Sequence, residues 1–265
     1  MVSPTSFGEL AEFVQDSSDV RVSGIWTHSR VNSPTLSLDR LTGIVELQAS
    51  DQVVTVRAGT RVADLNAELQ PYGLEIPLRG FAAWAGYPDS LAAMLSYDLP
   101  HGLSRQWGSW RDWVLGLTVV LSDGRIAKSG SRVVKSVAGY DVHKLMIGAQ
   151  FNLAIPAEIH LRLTPTQAVG EPVVPNESEP ATWILRVSRS EFAIAVENEM
   201  PILSDPETST LWLGHRPPES YSHAWAMAID GSGESWPATS SYYRNRAKQV
   251  FDPAGKFSRS WVGNS

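Results

Sequence analysis

Apolar residues open the chain at helical spacing. Phe7, Leu10, Ala11 and Val14 fall on one face of a 3.6-residue helix. Ser6-Phe7-Gly8-Glu9 reads as a capping box at its start, with Glu9 reaching back to the Ser6 amide. The pattern then turns strand-like at Val20-Arg21-Val22 and from Gly43 to Gln48. Gln52 to Ala58, carrying Val53, Val54, Thr55 and Val56, is the clearest β segment. Gly59-Thr60 turns the chain, and Thr60 is placed to cap a helix whose face is Val62, Leu65 and Leu69; Pro71 and Gly73 end it. From Leu78 to Gly108 periodicity fades into Gly, Ala, Pro, Trp and Ser, which inside a compact domain marks a functional segment more often than a connector.

Strand character returns from Trp113 to Ser122, and Asp123-Gly124 is a two-residue hairpin signal leading into Arg125-Ile126-Ala127. Between Gly130 and Ile155, a short apolar run (Arg132-Val133-Val134-Lys135) ends at Ala138-Gly139. A compact helical segment then begins at Asp141, with Val142, Leu145 and Met146 at helical spacing, Asp141 as N-cap and Gly148 as C′ residue. A strand, a glycine turn and a helix N-terminus together present unpaired N–H groups to an anion. Glu158 to Leu163 alternates as a further strand, and the proline-rich residues 164–180 read as a linker. Beyond it, Trp183–Val187, Thr210–Leu213 and Ala224–Ile229 are strand-like, Glu191–Glu199 and Tyr242–Phe251 helical, and Gly231–Pro237 a loop. Helices and strands alternate, but hairpins are present too, so the class is α+β and not a doubly wound parallel sheet.

Composition narrows the chemistry. At 43% hydrophobic and 19% charged residues the chain is globular. A net charge of −6 without a basic stripe argues against nucleic acid and anionic membrane as partners. There is no apolar run near the roughly 20 residues of a spanning helix. Met1 to Val14 lacks the basic and apolar regions of a signal peptide, so the expected location is cytoplasmic. With no cysteine, disulfides, cysteine-ligated clusters, thiolate catalysis and a cysteinyl flavin link are excluded. The six histidines show no metal-ligand spacing, and neither a G-x-S-x-G elbow nor a G-x-x-x-x-G-K-[ST] loop occurs, so no metal site is expected. Ten tryptophans imply either a bulky core or an aromatic surface.

The wording V-V-K-x-V-A-G-Y-D-x-x-K-L-x-x-G, from Val133 to Gly148, resembles a signature of FAD-linked oxidases of the vanillyl-alcohol oxidase / p-cresol methylhydroxylase (PCMH) type. Within that type it looks like the FAD-binding subunit of bacterial glycolate oxidases. The similarity runs from about Val22 to Leu163 and resumes at Phe251-Asp252-Pro253-Ala254-Gly255-Lys256-Phe257, like the family's F-D-P-x-G-x-F ending. The resemblance implies a PCMH-type FAD-binding domain over 1–165, built from two α+β subdomains at about 1–58 and 59–165. It further implies a small α+β cap over 166–238 and a C-terminal helix and tail, 239–265, returning to the first domain.

It also implies non-covalent FAD, its diphosphate held by amides of glycine-rich loops, where only glycine lets the backbone approach so closely. The loop typically G-G-G-T matches Ser23-Gly24-Ile25-Trp26-Thr27-His28, T-I-G-G matches Ser90-Leu91-Ala92-Ala93, and S-L-G-T-L-G matches Ala149-Gln150-Phe151-Asn152-Leu153-Ala154. Glycines are thus replaced at 92, 93, 151 and 154, and Trp26 and Phe151 set bulky side chains in the dinucleotide trench. The expected cofactor contacts are Gly24, Ile25, Trp26, Thr27, Ser90, Leu91, Ala92, Ala93, Gly139 and Tyr140. Tyr140 and Asp141 face the flavin or ribose, or else pack and cap. Lys135 and Lys144 neutralise phosphate or are simply solvated. His143 reads as structural, His101 is the better candidate for a polar role, and Arg186, Arg189, His215 and Arg216 read as exposed charges; no catalytic residue stands out.

Two functions remain open. One is the FAD-binding subunit of an oxidoreductase that takes a hydride from a 2-hydroxy acid and passes electrons to partner subunits. The other is a non-catalytic relative with an eroded flavin site, acting as a structural or regulatory partner.

Overall fold

The computed structural model describes residues 1–23, 35–78, 84–85, 87, 89–101, 104–130, 141–169, 181–221, 224–229, 234–235 and 238–257. The chain opens with α1 (Phe7–Asp16), whose Leu10 and Val14 are buried and whose N-cap Ser6 accepts from the Glu9 amide at 3.3 Å. Glu9 itself does not return to the Ser6 amide. Its carboxylate accepts from the Thr5 amide at 2.8 Å and from the Thr5 hydroxyl, a residue that offers two donors where Ser6 offers one free amide.

Two short strands follow, β1 (Val22–Ser23) and β2 (Leu36–Ser37), paired in parallel. β3 (Ile44–Gln48) and β4 (Val53–Arg57) lead into α2 (Val62–Leu69), which buries Val62, Leu65 and Leu69 as its spacing requires. Thr60 does not cap that helix: Arg61 occupies the N-cap position, while the Thr60 hydroxyl donates to the Arg57 carbonyl (2.7 Å) and accepts from the Gly43 amide (2.9 Å). The side chain ties two loops together instead of serving the helix.

β5 (Leu74–Glu75) precedes three short helices: α3 (Leu91–Ser96) and α4 (Ser104–Trp107), within the stretch without periodicity, and α5 (Trp110–Trp113) just beyond it. Trp113 closes α5, and the strand expected there, β6, covers Val114–Val120. The hairpin to β7 (Ile126–Gly130) turns through Gly124 at φ +82°, a conformation that favours glycine. After β8 (Ile155–Arg162) and β9 (Thr164–Pro165), which pairs with β5, the main sheet is complete: five antiparallel strands in the order β3-β4-β8-β6-β7. The subdomain division at residues 58 and 59 falls between strands of this one sheet.

Asp141 precedes a four-residue 3-10 turn, Val142–Leu145, and makes no capping bond; its carboxylate pairs with Lys144 at 2.9 Å. So short a turn carries a carboxylate at its mouth, and the glycine turn before it, Ala138-Gly139, lies outside the described residues. Gly148 does take the left-handed conformation, at φ +79°.

A second sheet holds β10 (Trp183–Arg186), β11 (Leu203–Asp205), β12 (Thr210–Leu213), β13 (Trp225–Ala228) and β14 (Glu234–Ser235), with α6 (Phe192–Glu199) between β10 and β11. Its order is β11-β12-β10-β13-β14, all antiparallel. Strand alternation sorts its two faces. Ile184, Trp212, Trp225 and Met227 join the main core; Leu185, Leu211, Leu213 and Ala226 pack with Ala195 of α6. Polar pins fix the docking: Trp212 Nε1 donates to Tyr87 Oη (3.0 Å) and Ser104 Oγ to Asp205 Oδ2 (2.8 Å), while Arg186 reaches both the Asp98 carboxylate (3.4 Å) and carbonyl (3.2 Å).

The last helix, α7 (Ala238–Phe251), returns to the first sheet. The F-D-P-x-G-x-F phrase is its clasp. Asp252 accepts from Lys248 Nζ (2.7 Å) and from the amides of Lys256 and Phe257 (2.9 Å each), and Lys248 also donates to the carbonyls of Asn152 and Phe257. Burial by itself would raise the Asp252 pKa, but these hydrogen bonds outweigh it and hold the carboxyl below its ordinary range. The clasp therefore contributes stability above the ordinary carboxylate pKa and loses it as pH falls through the lowered folded value. Asp252→Asn should cost about 1–3 kcal/mol at pH 7 and remove that share of the acid sensitivity. Urea denaturation at neutral and acidic pH checks both.

Candidate cofactor site

A cavity of about 410 Å³ lies where β1, the end of β4, α2 and α3 converge, lined by Ser37, Asp39, Gly59, Arg61, Asp64, Asp89, Ser90, Ala92, Ala93 and Phe151 among others. That volume is within the usual range for small-molecule and cofactor sites. Its floor depends on Gly59: a Cβ there would stand 1.8 Å from the Leu38 carbonyl oxygen, so only glycine permits the crossing. The Gly59 amide donates to the Leu41 carbonyl across the same contact (3.0 Å).

α3 forms one wall. Ser90 caps it, accepting from the Ala93 amide at 3.3 Å. The Leu91 amide donates to the Thr60 carbonyl (3.0 Å) and the Ala92 amide to the Ala58 carbonyl (2.8 Å). All three first-turn amides at 91, 92 and 93 are thus engaged inside the protein. The alanines that stand where relatives carry glycine sit in regular helix and are buried, so their added methyls cost the backbone nothing.

Phe151 closes the opposite side, 4% exposed and at φ +59°; Gln150 before it is at φ +53°. Two successive left-handed residues without glycine cost about 1–2 kcal/mol each. The turn is held by the Gln150 amide on the Ser96 carbonyl (2.7 Å) and by Arg244 of α7 on the Gln150 side chain (3.0 Å). Of the contacts expected from sequence, Ser90, Ala92 and Ala93 line this cavity, and Leu91 is buried beside it. Gly24, Ile25, Trp26, Thr27, Gly139 and Tyr140 lie outside the described residues. Asp39, Asp64, Asp89 and Arg61 were missed: they come from separate segments, and no motif announces them.

A second cavity, about 190 Å³, opens between the first domain and the small sheet, lined by Asp98, His101, Ser104, Trp110, Arg186 and Thr208 among others. His101 is 2% exposed, stacked on Trp113 at 4.3 Å and edge-on to Trp110 at 6.4 Å. Neither of its ring nitrogens makes a well-aligned hydrogen bond. Burial pushes its pKa down to about 4; the Asp205 carboxylate, the Gly108 backbone and Asp112 offset this only in part. His143 is buried against Ser129, and His215, read as an exposed charge, pairs with buried Glu199 at 2.9 Å. Among the described residues no His, Asp or Glu cluster is arranged to hold a metal ion.

Residues 4–130 match the FAD binding domain family. The match covers just under half of the chain and, with the relatives below, supports a PCMH-type FAD-binding domain with FAD as its cofactor. The chain is 38% identical over 117 residues to the mitochondrial D-lactate dehydrogenase [cytochrome] of Arabidopsis thaliana, covering 44% of this chain and 20% of that protein. It is 33% identical over 141 residues to the glycolate oxidase subunit GlcE of Escherichia coli (strain K12), covering 51% of this chain and 38% of that one. It therefore spans between a fifth and two fifths of these relatives' lengths. Among solved structures, an alkyldihydroxyacetonephosphate synthase matches with a TM-score of 0.51 at 14% identity, over 75% of this chain and 36% of that one, which shows the fold.

The 410 Å³ cavity has room for part of a flavin dinucleotide and offers acceptors: the Asp39, Asp64 and Asp89 carboxylates and the Ser37 hydroxyl can meet ribose hydroxyls or an exocyclic amine. Donors for a diphosphate are scarcer there, since the amides at 91–93 are spent.

The depressed His101 pKa makes a stability prediction. The unfolded state binds this proton below about 6.5 and the folded state only near 4, so stability falls as pH drops through that window, by up to about 3 kcal/mol. His101→Leu should flatten this pH dependence. Thermal denaturation from pH 7 to pH 4 would show it.

Proposed function

We propose that the chain is the FAD-binding portion of a cytoplasmic flavin-dependent oxidoreductase acting on a small 2-hydroxy acid and working beside partner subunits. The observation that carries the reading is the 410 Å³ cavity lined by Gly59, Ser90, Ala92 and Ala93 of the residues matched as an FAD-binding domain, and by Phe151 beyond them. The names of its relatives, a D-lactate dehydrogenase and a glycolate oxidase subunit, support the substrate class and the subunit role. FAD, when bound, supplies a hydride acceptor.

The chain's own residues would do the rest. Arg186, held by Asp98 and set 5.5 Å from the Trp225 ring, would take a substrate carboxylate at the smaller cavity. His101, uncharged at neutral pH through burial, would accept a hydrogen bond from the substrate hydroxyl. The small sheet packed above would exclude water. With no cysteine in the chain, electrons would leave through a partner.

One observation favours the second reading, a non-catalytic relative: Phe151 fills a glycine position and lines the 410 Å³ cavity. Two experiments separate the readings. An absorption spectrum of the purified protein, followed by anaerobic addition of D-lactate or glycolate, should show bound flavin that bleaches; a stable apoprotein that ignores added FAD would support the second reading. Phe151→Gly should tighten FAD binding severalfold, at a stability cost of about 2 kcal/mol, the buried ring lost less the backbone strain relieved. Fluorescence titration and urea denaturation measure the two.

A further inference from the structure

The 410 Å³ cavity poses a charge problem. A dinucleotide's diphosphate carries two negative charges, yet the charged side chains of the described lining are three carboxylates, Asp39, Asp64 and Asp89, and one guanidinium, Arg61. The amides that would ordinarily serve it at 91–93 already donate to Thr60, Ala58 and Ser90. Something else must supply positive charge.

Arg61 is built into position to do so. Its backbone pairs with Ser90 as an isolated antiparallel bridge, closed by the Val62 amide on the Asp89 carbonyl (2.9 Å) and the Leu91 amide on the Thr60 carbonyl (3.0 Å). These two bonds flank the Arg61–Ser90 pair, which makes it the close, non-hydrogen-bonded kind with Cα atoms about 4.5 Å apart. The Arg61 side chain therefore leaves the backbone beside the cap of α3, at the cavity wall. Its guanidinium rests 3.2 Å from Asp89, in a pair whose side chains are 64% and 51% exposed. Exchange of such an exposed pair costs little, because surface ion pairs hold weakly. A diphosphate, by contrast, can take a guanidinium through two parallel hydrogen bonds.

We propose that Arg61 swings from Asp89 to the cofactor's diphosphate and is the main cationic contact for it in this chain, with Asp89 as its resting partner and competitor. The assignment rests on the reading of this cavity as the FAD site. Arg61 acts in binding, not in the chemical step.

The test compares FAD with riboflavin, which has the same ring and no phosphate, by flavin fluorescence on the full chain. Arg61→Ala should weaken FAD binding about tenfold at low salt, leave riboflavin within twofold, and reduce the salt dependence of FAD binding. Arg61→Lys should restore most of the affinity, since the charge returns without the fork. Asp89→Asn should tighten FAD two- to threefold by freeing the guanidinium. If the unaltered protein binds FAD and Arg61→Ala binds it equally well, the assignment is wrong while the cavity reading stands. If the unaltered protein binds no FAD, the cavity reading fails and the assignment with it. Equal losses for FAD and riboflavin would overturn the diphosphate role and make Arg61 a structural residue of the wall.

Discussion

The contact of Gly59 with the Leu38 carbonyl is the constraint on which the cofactor half of the molecule depends. No side chain is tolerated there, and the backbone on either side distributes the consequences. The Ala58 and Thr60 carbonyls receive the first amides of α3, the Ala58 amide reaches Ala157 of the neighbouring segment, and Arg57 donates to Gly43. Four pieces of chain distant in sequence are brought together within a few residues. The cavity is the space left where they meet, and the exhaustion of the α3 amides is the cost of so compact a junction.

How much of this was legible varies with the physics of each segment. β4 announced itself through four branched residues in a row, and the β6–β7 hairpin through Asp123-Gly124, because those features are local. Gly148 was legible for the same reason, since the left-handed conformation leaves a residue signature. The stretch between Leu78 and Gly108 was not. Its described helices α3 and α4, of six and four residues, end before a hydrophobic period can repeat. Capping was only half legible. Ser6 behaves as its sequence suggests, but Glu9, Thr60 and Asp141 each find a better partner nearby, which only the fold reveals. The motif resemblance pointed to Ser90–Ala93 as cofactor contacts, and Ser90, Ala92 and Ala93 line the cavity. It was silent on Asp39, Asp64, Asp89 and Arg61, which topology alone assembles.

The C-terminal phrase shows how a distant segment maintains the site. Lys248 and Arg244 of α7 grip the turn at Asn152 and Gln150, and Asp252 locks Lys248 in place. Phe151 is thereby held in a conformation it would not adopt unaided. The small sheet plays a parallel role at the other cavity. Its inner face completes the main core through Trp212, and Arg186 and Asp205 pin it to the loop bearing His101 and Ser104.

The claim that the junction around Gly59 is the FAD site is tested most directly by hydrogen exchange of the protein with and without FAD. The account expects protection on FAD addition to concentrate in residues 37–42, 59–64, 89–93 and 150–153, with little change in the outer strand β11 and in α6. Protection confined to other segments, or none at saturating FAD, would contradict it.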